Sequence, residues 1–184
     1  MTTYTLHTQD TAPDKAKPLL ENSKKSFGMI PNLHAVMASS PELLEGYQVL
    51  HDLAQKTDFS ADELTVVWQT VNVEHQCHYC VPAHTGIAKN MKVDDKLIDA
   101  LRNNEELEDA KLNALRNAVL SVTRGRGHID DAAMKGFTDA GYTSRNMLDI
   151  ILILAQKVMS NYTNHLAETP VDVAFEKFAW TPVK

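Results

Sequence analysis

Cys77 and Cys80 are the only cysteines of the chain, and His84 follows the second by four residues, in the run Cys77-His78-Tyr79-Cys80-Val81-Pro82-Ala83-His84. Helical positions four apart lie one above the other on the same face. The spacing therefore aims an imidazole at the Cys80 thiol, with a second thiol one turn away. A thiol, a proton acceptor and a second thiol are the parts of a redox dithiol. Its thiolate attacks the outer oxygen of a peroxide, and the neighbouring thiol captures the resulting sulfenic acid as a disulfide. A cysteine near a helix N-terminus also meets unpaired N–H groups and the positive dipole end, which favour thiolate. The spacing pairs Cys80 with His84, so Cys80 reads as the attacking sulfur and Cys77 as the resolving one. The opposite order stays open, because the first cysteine of a CxxC usually has the better N-terminal position. Zinc is another reading. Cys77, Cys80 and His84 would supply three ligands and His75 or His78 a fourth, although no second CxxC or HxxxH accompanies them. Two inert buried cysteines are a third reading.

The elements that must position this motif read as helices. Ser40-Pro41 combines a cap with a proline at the first helical position, and Leu43, Leu44, Tyr47 and Leu50 continue the period toward Lys56. Ser60 and Glu63 form a capping box, followed by Leu64, Val67, Trp68 and Val71 on a helix running toward Glu74. A helix from about Cys77 to Asn90 carries the motif, and others are predicted over 94–102, 107–124 and 130–139. Gly125-Arg126-Gly127 ends the third of these, and Gly141 breaks the last. A shorter helix is predicted over 14–26, with Gly28 closing it in the left-handed conformation, and Pro31 marks a turn. Thr143 or Ser144 caps a long final helix through Met147, Ile150, Ile151, Leu154 and Val158 toward His165, apolar on most sides. No run of alternating residues reads as a strand, so the fold class is all-α. The organisation is an arm over 1–13, one helical domain over 14–170 and a tail over 171–184.

Composition narrows the function. A 184-residue chain with 43% hydrophobic and 23% charged residues is ordinary for one globular domain. Its net charge of −6, without a Lys/Arg run, argues against general nucleic-acid binding. No apolar stretch reaches membrane-spanning length and no secretory core follows Met1, so no membrane partner is expected and the expected compartment is the cytoplasm. There, a close cysteine pair is more often catalytic or metal-binding than structural.

At Cys77, Cys80 and His84 the chain resembles the carboxymuconolactone decarboxylase and AhpD-like alkylhydroperoxidase family, whose motif is CxxCxxxH. Phe27-Gly28-Met29-Ile30-Pro31-Asn32-Leu33 with Ser40-Pro41-Glu42-Leu43-Leu44, and Asn161-Tyr162-Thr163-Asn164-His165-Leu166-Ala167, are similar to the peroxidase-related branch. The resemblance covers roughly residues 20–172. It implies an all-helical bundle, often a dimer, trimer or hexamer, with a peroxide-reducing dithiol and no metal or organic cofactor. It implies Cys80 as peroxidatic, Cys77 as resolving and His84 as the relay histidine, with a hydroperoxide substrate and an external dithiol or disulfide-reductase partner. Two positions depart from the family pattern. The relay glutamate twelve residues before the first cysteine is Thr65 here, and Glu74 is the candidate substitute. The residue directly before the second cysteine, often histidine, is Tyr79, whose hydroxyl could donate to a peroxide oxygen.

Other residues read more plainly. His75 and His78 read as solvated loop histidines, Trp68 as a packing residue, and Arg124 and Arg126 as a solvated helix end. His165 could reach the site or serve as a cap or interface. The leading expectation is a thiol-dependent peroxidase. The alternatives are a general dithiol–disulfide oxidoreductase, a lactone decarboxylase, and a redox-sensing or zinc-stabilised module without turnover. Family decarboxylases generally lack the cysteine pair.

Overall fold

Capping chemistry decides where most of the helices begin. The computed structural model describes residues 4–182; the first three residues of the expected arm and the last two of the tail lie outside them. Among the described residues, nine α-helices and one 3-10 turn follow in order: α1 (Lys17–Phe27), α2 (Asn32–Met37), α3 (Pro41–Ala54), α4 (Ala61–Glu74), α5 (Cys80–Asn90), α6 (Asp95–Arg102), α7 (Ala110–Arg124), α8 (Asp131–Asp139), α9 (Ser144–Ala167) and the turn Val173–Phe178. There is no strand among the described residues, and the all-α expectation holds. Ser60 and Glu63 close the predicted capping box on α4, and Thr143 with Asn146 closes another on α9. Asp94, Asp109 and Asp130 cap α6, α7 and α8 through their side chains. Each such cap is worth about 1 kcal/mol. Gly28 ends α1 at φ 73°, as predicted.

Two differences bear on function. The motif helix starts at Cys80, not near Cys77, because Gln76 takes a left-handed φ of 53° and the Cys77 N–H closes back on the Asn72 carbonyl. Residues 77–79 form the turn joining α4 to α5. The short α2, with Leu33 to Met37 all buried, was not predicted, since six residues are too few to show a helical period.

α4 is the centre of the bundle. It packs against α5, α6, α7 and α9, and every residue from Leu64 to Val73 is buried. The predicted single apolar face is thus only part of its contact surface. One apolar cluster joins Val67, Trp68 and Val71 to Leu115, Val119, Phe137, Ile150 and Ile153. A fully buried aliphatic or aromatic side chain there contributes roughly 1.5–3 kcal/mol over exposure. A second cluster gathers Leu20, Leu33, Met37, Leu44 and Tyr47 around both cysteines. α4, α5 and α9 also bury polar side chains, among them Gln69, Asn72, His84, Lys157, Asn161 and Asn164.

The tail does more than end the chain. Asp172 accepts hydrogen bonds from the Asn32 N–H and the Tyr79 hydroxyl. Arg102 donates to the carbonyls of Phe178 and Ala179, and the Trp180 indole donates to the Arg102 carbonyl. These bonds lay Phe175 against Gly86 of α5, where a β-carbon would come within 2.8 Å of the ring.

Candidate active site

Both sulfurs are buried and unbridged: Cys77 is 0% and Cys80 2% exposed. Cys80 opens α5, so its N–H has no partner within the helix. That N–H donates instead to the Cys77 sulfur at 3.2 Å. From α9, the Asn164 amide donates to the Cys80 sulfur at 3.2 Å and reaches the Cys77 sulfur at 4.0 Å. Cys80, but not Cys77, lines a cavity of about 970 Å³, whose walls also include His84, Lys157, Trp68 and Phe175.

The decisive charge is Lys157. Its side chain is completely buried, and no carboxylate pairs with it among the described residues. Burying an ammonium costs several kcal/mol unless an anion compensates. The opposing charges nearby are the cysteine sulfurs. Burial pulls the Lys157 pKa down, while the thiolate charge of Cys80 and then Cys77 pushes it back up. The effect is mutual. Burial alone would raise the Cys80 thiol, but the Cys77 hydrogen bond, the Lys157 charge and the amides of Asn164 and Asn161 outweigh it and hold Cys80 below the usual thiol range. Cys77 is held far up, by burial first and then by the hydrogen bond and charge of Cys80. The two shifts run in opposite directions and favour Cys80 over Cys77 as the sulfur that loses its proton.

His84 is placed differently from the expectation. Its Nε2 lies 2.8 Å from the Lys157 Nζ and accepts where that lysine is protonated. Its Nδ1 is buried and has no partner. Burial, then the Lys157 charge and His51, hold His84 well below the ordinary histidine range. No hydrogen bond joins His84 to Cys80 among the described residues. The imidazole acts on the lysine, and the lysine charge acts on the sulfur.

The remaining predicted residues separate into near and far. Glu74 accepts two hydrogen bonds from Arg124 at 2.7 and 2.8 Å, which holds it below the ordinary carboxylate range against its partial burial. It makes no hydrogen bond to Cys77, Cys80 or His84 among the described residues. Arg124 is thus an ion-pair partner rather than a free helix end. Thr65, at the lost glutamate position, is buried with its hydroxyl unpartnered. Tyr79 lines the cavity, but its hydroxyl donates to Asp172 and accepts from the Leu33 N–H. It pins the tail to the motif rather than offering a free donor.

His75 and His78 are not solvated loop residues. His75 pairs with Asn161 at 2.8 Å and His78 with the Thr169 carbonyl at 3.0 Å. Both proposed fourth zinc ligands are therefore turned to other partners, and no group of three His, Cys, Asp or Glu side chains converges among the described residues. His165 is exposed, whereas Asn161 and Asn164 on the same helix are fully buried. Trp68 packs as expected but also forms part of the cavity wall.

The sequence reading missed Lys157, Asn161 and Asn164. Their signal was available as polar residues at helical spacing inside a helix read as buried on most sides. Behind them, Asn161 donates to Asn72, and Asn72 donates to Gln69 and, at 3.5 Å, to the Cys80 carbonyl. Together with the Lys157–His84 contact, these amide groups tie the motif helix to α4 and α9.

No protein-family model matches the sequence, and no curated protein does either. Solved structures match its fold over nearly the whole chain. A peroxidase-related protein described as an alkylhydroperoxidase AhpD core, from Ralstonia eutropha JMP134, superimposes with a TM-score of 0.81 at 20% identity, covering 94% of this chain and 93% of its own. A peroxidase-related protein from Silicibacter sp. TM1040 gives 0.77 at 20% identity, with 95% of each chain covered. The debrominase Bmp8 without ligand gives 0.79 at 16% identity, with 96% of each covered. A cysteine-to-alanine variant of Bmp8 has been solved with 2,3,4-tribromopyrrole. No helix among the described residues is long and apolar enough to cross a membrane. The chain has the fold of the AhpD-like, peroxidase-related proteins, the family its cysteine motif resembles.

Proposed function

We propose that the protein is a dithiol peroxidase that reduces an organic hydroperoxide at Cys80. The observation that carries this reading is the buried Lys157, without a carboxylate, compensating a thiolate that faces a cavity. The Cys80 thiolate attacks the terminal oxygen of R–O–O–H. The S–O bond forms, the O–O bond breaks, and the products are a Cys80 sulfenic acid and RO⁻. The Lys157 ammonium supplies a proton, RO⁻ leaves as ROH, and His84 Nε2 keeps the lysine oriented. The Cys77 thiol then attacks the sulfenic sulfur, expelling water and forming the disulfide. An external dithiol reduces the disulfide and restores the thiolate and ammonium. The net change is ROOH plus two thiol hydrogens to ROH plus water, with two electrons taken from the dithiol.

This reading gives Glu74 and Tyr79 no chemical step, since both are engaged elsewhere. It keeps Cys80, Cys77 and His84, and adds Lys157 as proton donor and counter-ion with Asn164 as hydrogen-bond donor to the sulfur. The cavity is far larger than a peroxide group, which favours a substrate with a sizeable organic part. It also favours a second reading, in which the same dithiol removes halogen from a ring, as the name of Bmp8 states for that protein. In that case Ar–Br and two thiols would give Ar–H, HBr and the disulfide.

The test is turnover of tert-butyl hydroperoxide with dithiothreitol. Wild type should consume it and Cys80→Ser should not. Cys77→Ser should perform one turnover and stop at a sulfenic acid that dimedone captures. A Cys80→Ser protein as active as wild type, or an inert wild type, would overturn the peroxidase. Bromide release from a bromopyrrole by an otherwise inert wild type would favour the second reading.

A further inference from the structure

Six aromatic rings run in unbroken contact along the cavity. Phe27 meets His34 edge-on at 5.7 Å between ring centroids, and His34 meets Tyr47 at 5.5 Å. Tyr47 stacks on His51 at 6.2 Å, and His51 on Trp68 at 5.7 Å with only 12° between the planes. Trp68 then meets His84 at 4.9 Å. All six line the cavity that Cys80 faces. At one end Phe27 is 45% exposed, and at the other His84 is buried beside Lys157. The row therefore leads from solvent to the site of chemistry.

The wall it forms is uncharged. Burial, the leading cause in each case, lowers His34 to about 3 and His51 to about 4, and holds His84 well below the ordinary range. All three imidazoles are neutral near pH 7. Of the other charged side chains lining the cavity, Lys25 and Asp52 are exposed, so Lys157 is the buried charge. Rings serving only as core packing would turn their surfaces away from the void, whereas these border it. An aliphatic lining would suit a flexible chain, but the edges of rings that stack on one another reward the face of an aromatic partner. Each well-placed aromatic pair adds about 0.5–1.5 kcal/mol beyond area burial.

We propose that the cavity takes a ring-bearing hydroperoxide, whose aromatic part packs against the edges of the Tyr47, His51 and Trp68 row while its O–O group lies at Cys80. This rests on the peroxidase reading above, and the bonds made and broken are those given there. Phe27 forms the entrance of the path, and the neutral imidazoles border it without a competing charge.

The test compares cumene hydroperoxide with tert-butyl hydroperoxide, which differ by a phenyl for a methyl at the carbon bearing the O–O–H. With each rate normalised to that of free dithiothreitol, wild type should show a kcat/KM up to about tenfold higher for cumene hydroperoxide, the gain of one good aromatic pair. His51→Leu and Phe27→Leu, which keep apolar bulk and remove a ring, should narrow the ratio to about twofold. A second measurement needs no turnover. 2-Phenyl-2-propanol should quench tryptophan fluorescence of the Cys80→Ser protein, and tert-butanol at the same concentration should not. Equal kcat/KM for both peroxides in wild type, without selective binding of the aromatic alcohol, overturns the ring preference and leaves the peroxidase standing. Selective binding without turnover of either peroxide supports the ring preference and overturns the peroxidase.

Discussion

The two halves of α9 bury different chemistry. Its first half inserts Ile150 and Ile153 into the apolar cluster around Trp68 and Leu115. Its second half buries Gln156, Lys157, Ser160, Asn161 and Asn164 just as completely. Both halves are one continuous helix, so backbone propensity does not separate them. The difference lies in what each gains. The first half contributes transfer free energy and has no chemistry to perform. The second gives up transfer free energy, and two of its side chains, Asn164 and Lys157, reach the sulfurs and the His84 imidazole. Burial is not by itself a measure of structural worth. A buried methyl group holds the fold together, whereas a buried ammonium without a carboxylate is held there by the fold.

That contrast can be broken by exchanging one residue from each half. Ile153→Ala should lower stability by about 2–5 kcal/mol through the cavity it leaves, with little change in the reactivity of Cys80. Lys157→Met should do the opposite. Removing the lysine strands no second charge, because the Cys80 thiol then keeps its proton, and the cost of burying an ammonium disappears, so Tm should hold or rise. The Cys80 thiol should move up by at least about one pKa unit, about 1.4 kcal/mol, and peroxide turnover should fall about 100-fold. Thermal unfolding and the pH profile of iodoacetamide alkylation in both variants decide it. A Lys157→Met protein with an unshifted alkylation profile would remove the lysine from the site.

The next effect concerns acid. In the unfolded chain His34, His51 and His84 titrate near the ordinary histidine value, but the native state keeps them neutral far below it. Between those limits the unfolded chain binds protons that the folded chain refuses. The stability they contribute is complete above about pH 6.5. It is lost as pH falls toward about 4 for His51 and about 3 for His34. The slope is about 1.4 kcal/mol per pH unit for each histidine. Urea unfolding at pH 7, 6 and 5 should show this decline, and His51→Leu should flatten it. A midpoint independent of pH across that range would mean that these rings are not buried as described.

The smallest effect should come from Glu74. Its pair with Arg124 lies at the surface, and such pairs are worth about 0–1 kcal/mol. Glu74→Gln should lower Tm by no more than a few degrees and leave hydroperoxide turnover within about twofold. A larger loss of turnover would return the carboxylate to the proton path.

Much of the frame was legible because it rests on local chemistry. Ser60 with Glu63, Pro41 after Ser40, and Gly28 and Gly141 mark helix ends through bonds and torsions within a few residues. The cysteine motif was legible for the same reason. What escaped depends on pieces distant in sequence. Lys157 is 73 residues from His84, and no local pattern says which buried face a lysine will meet. Glu74 looked suitable by proximity to Cys77, but the left-handed turn at Gln76 separates the two, and Arg124, 50 residues away, claims the carboxylate. Tyr79 looked free until Asp172, 93 residues on, took its hydroxyl. The missed lysine had one readable mark, a cation set within an apolar helical run together with amides one and two turns onward.

The hydrogen at the α-carbon of Gly86 is the only group small enough to admit Phe175 where it lies. Adding one methyl there pries the ring outward and, through it, the chain from Asp172 to Trp180. Gly86→Ala is thus a handle on the roof of the reaction chamber, set nearly two helical turns beyond the nucleophile and leaving both sulfurs, Lys157 and His84 unaltered. Enlarging the doorway and altering the catalyst can in this way be done separately.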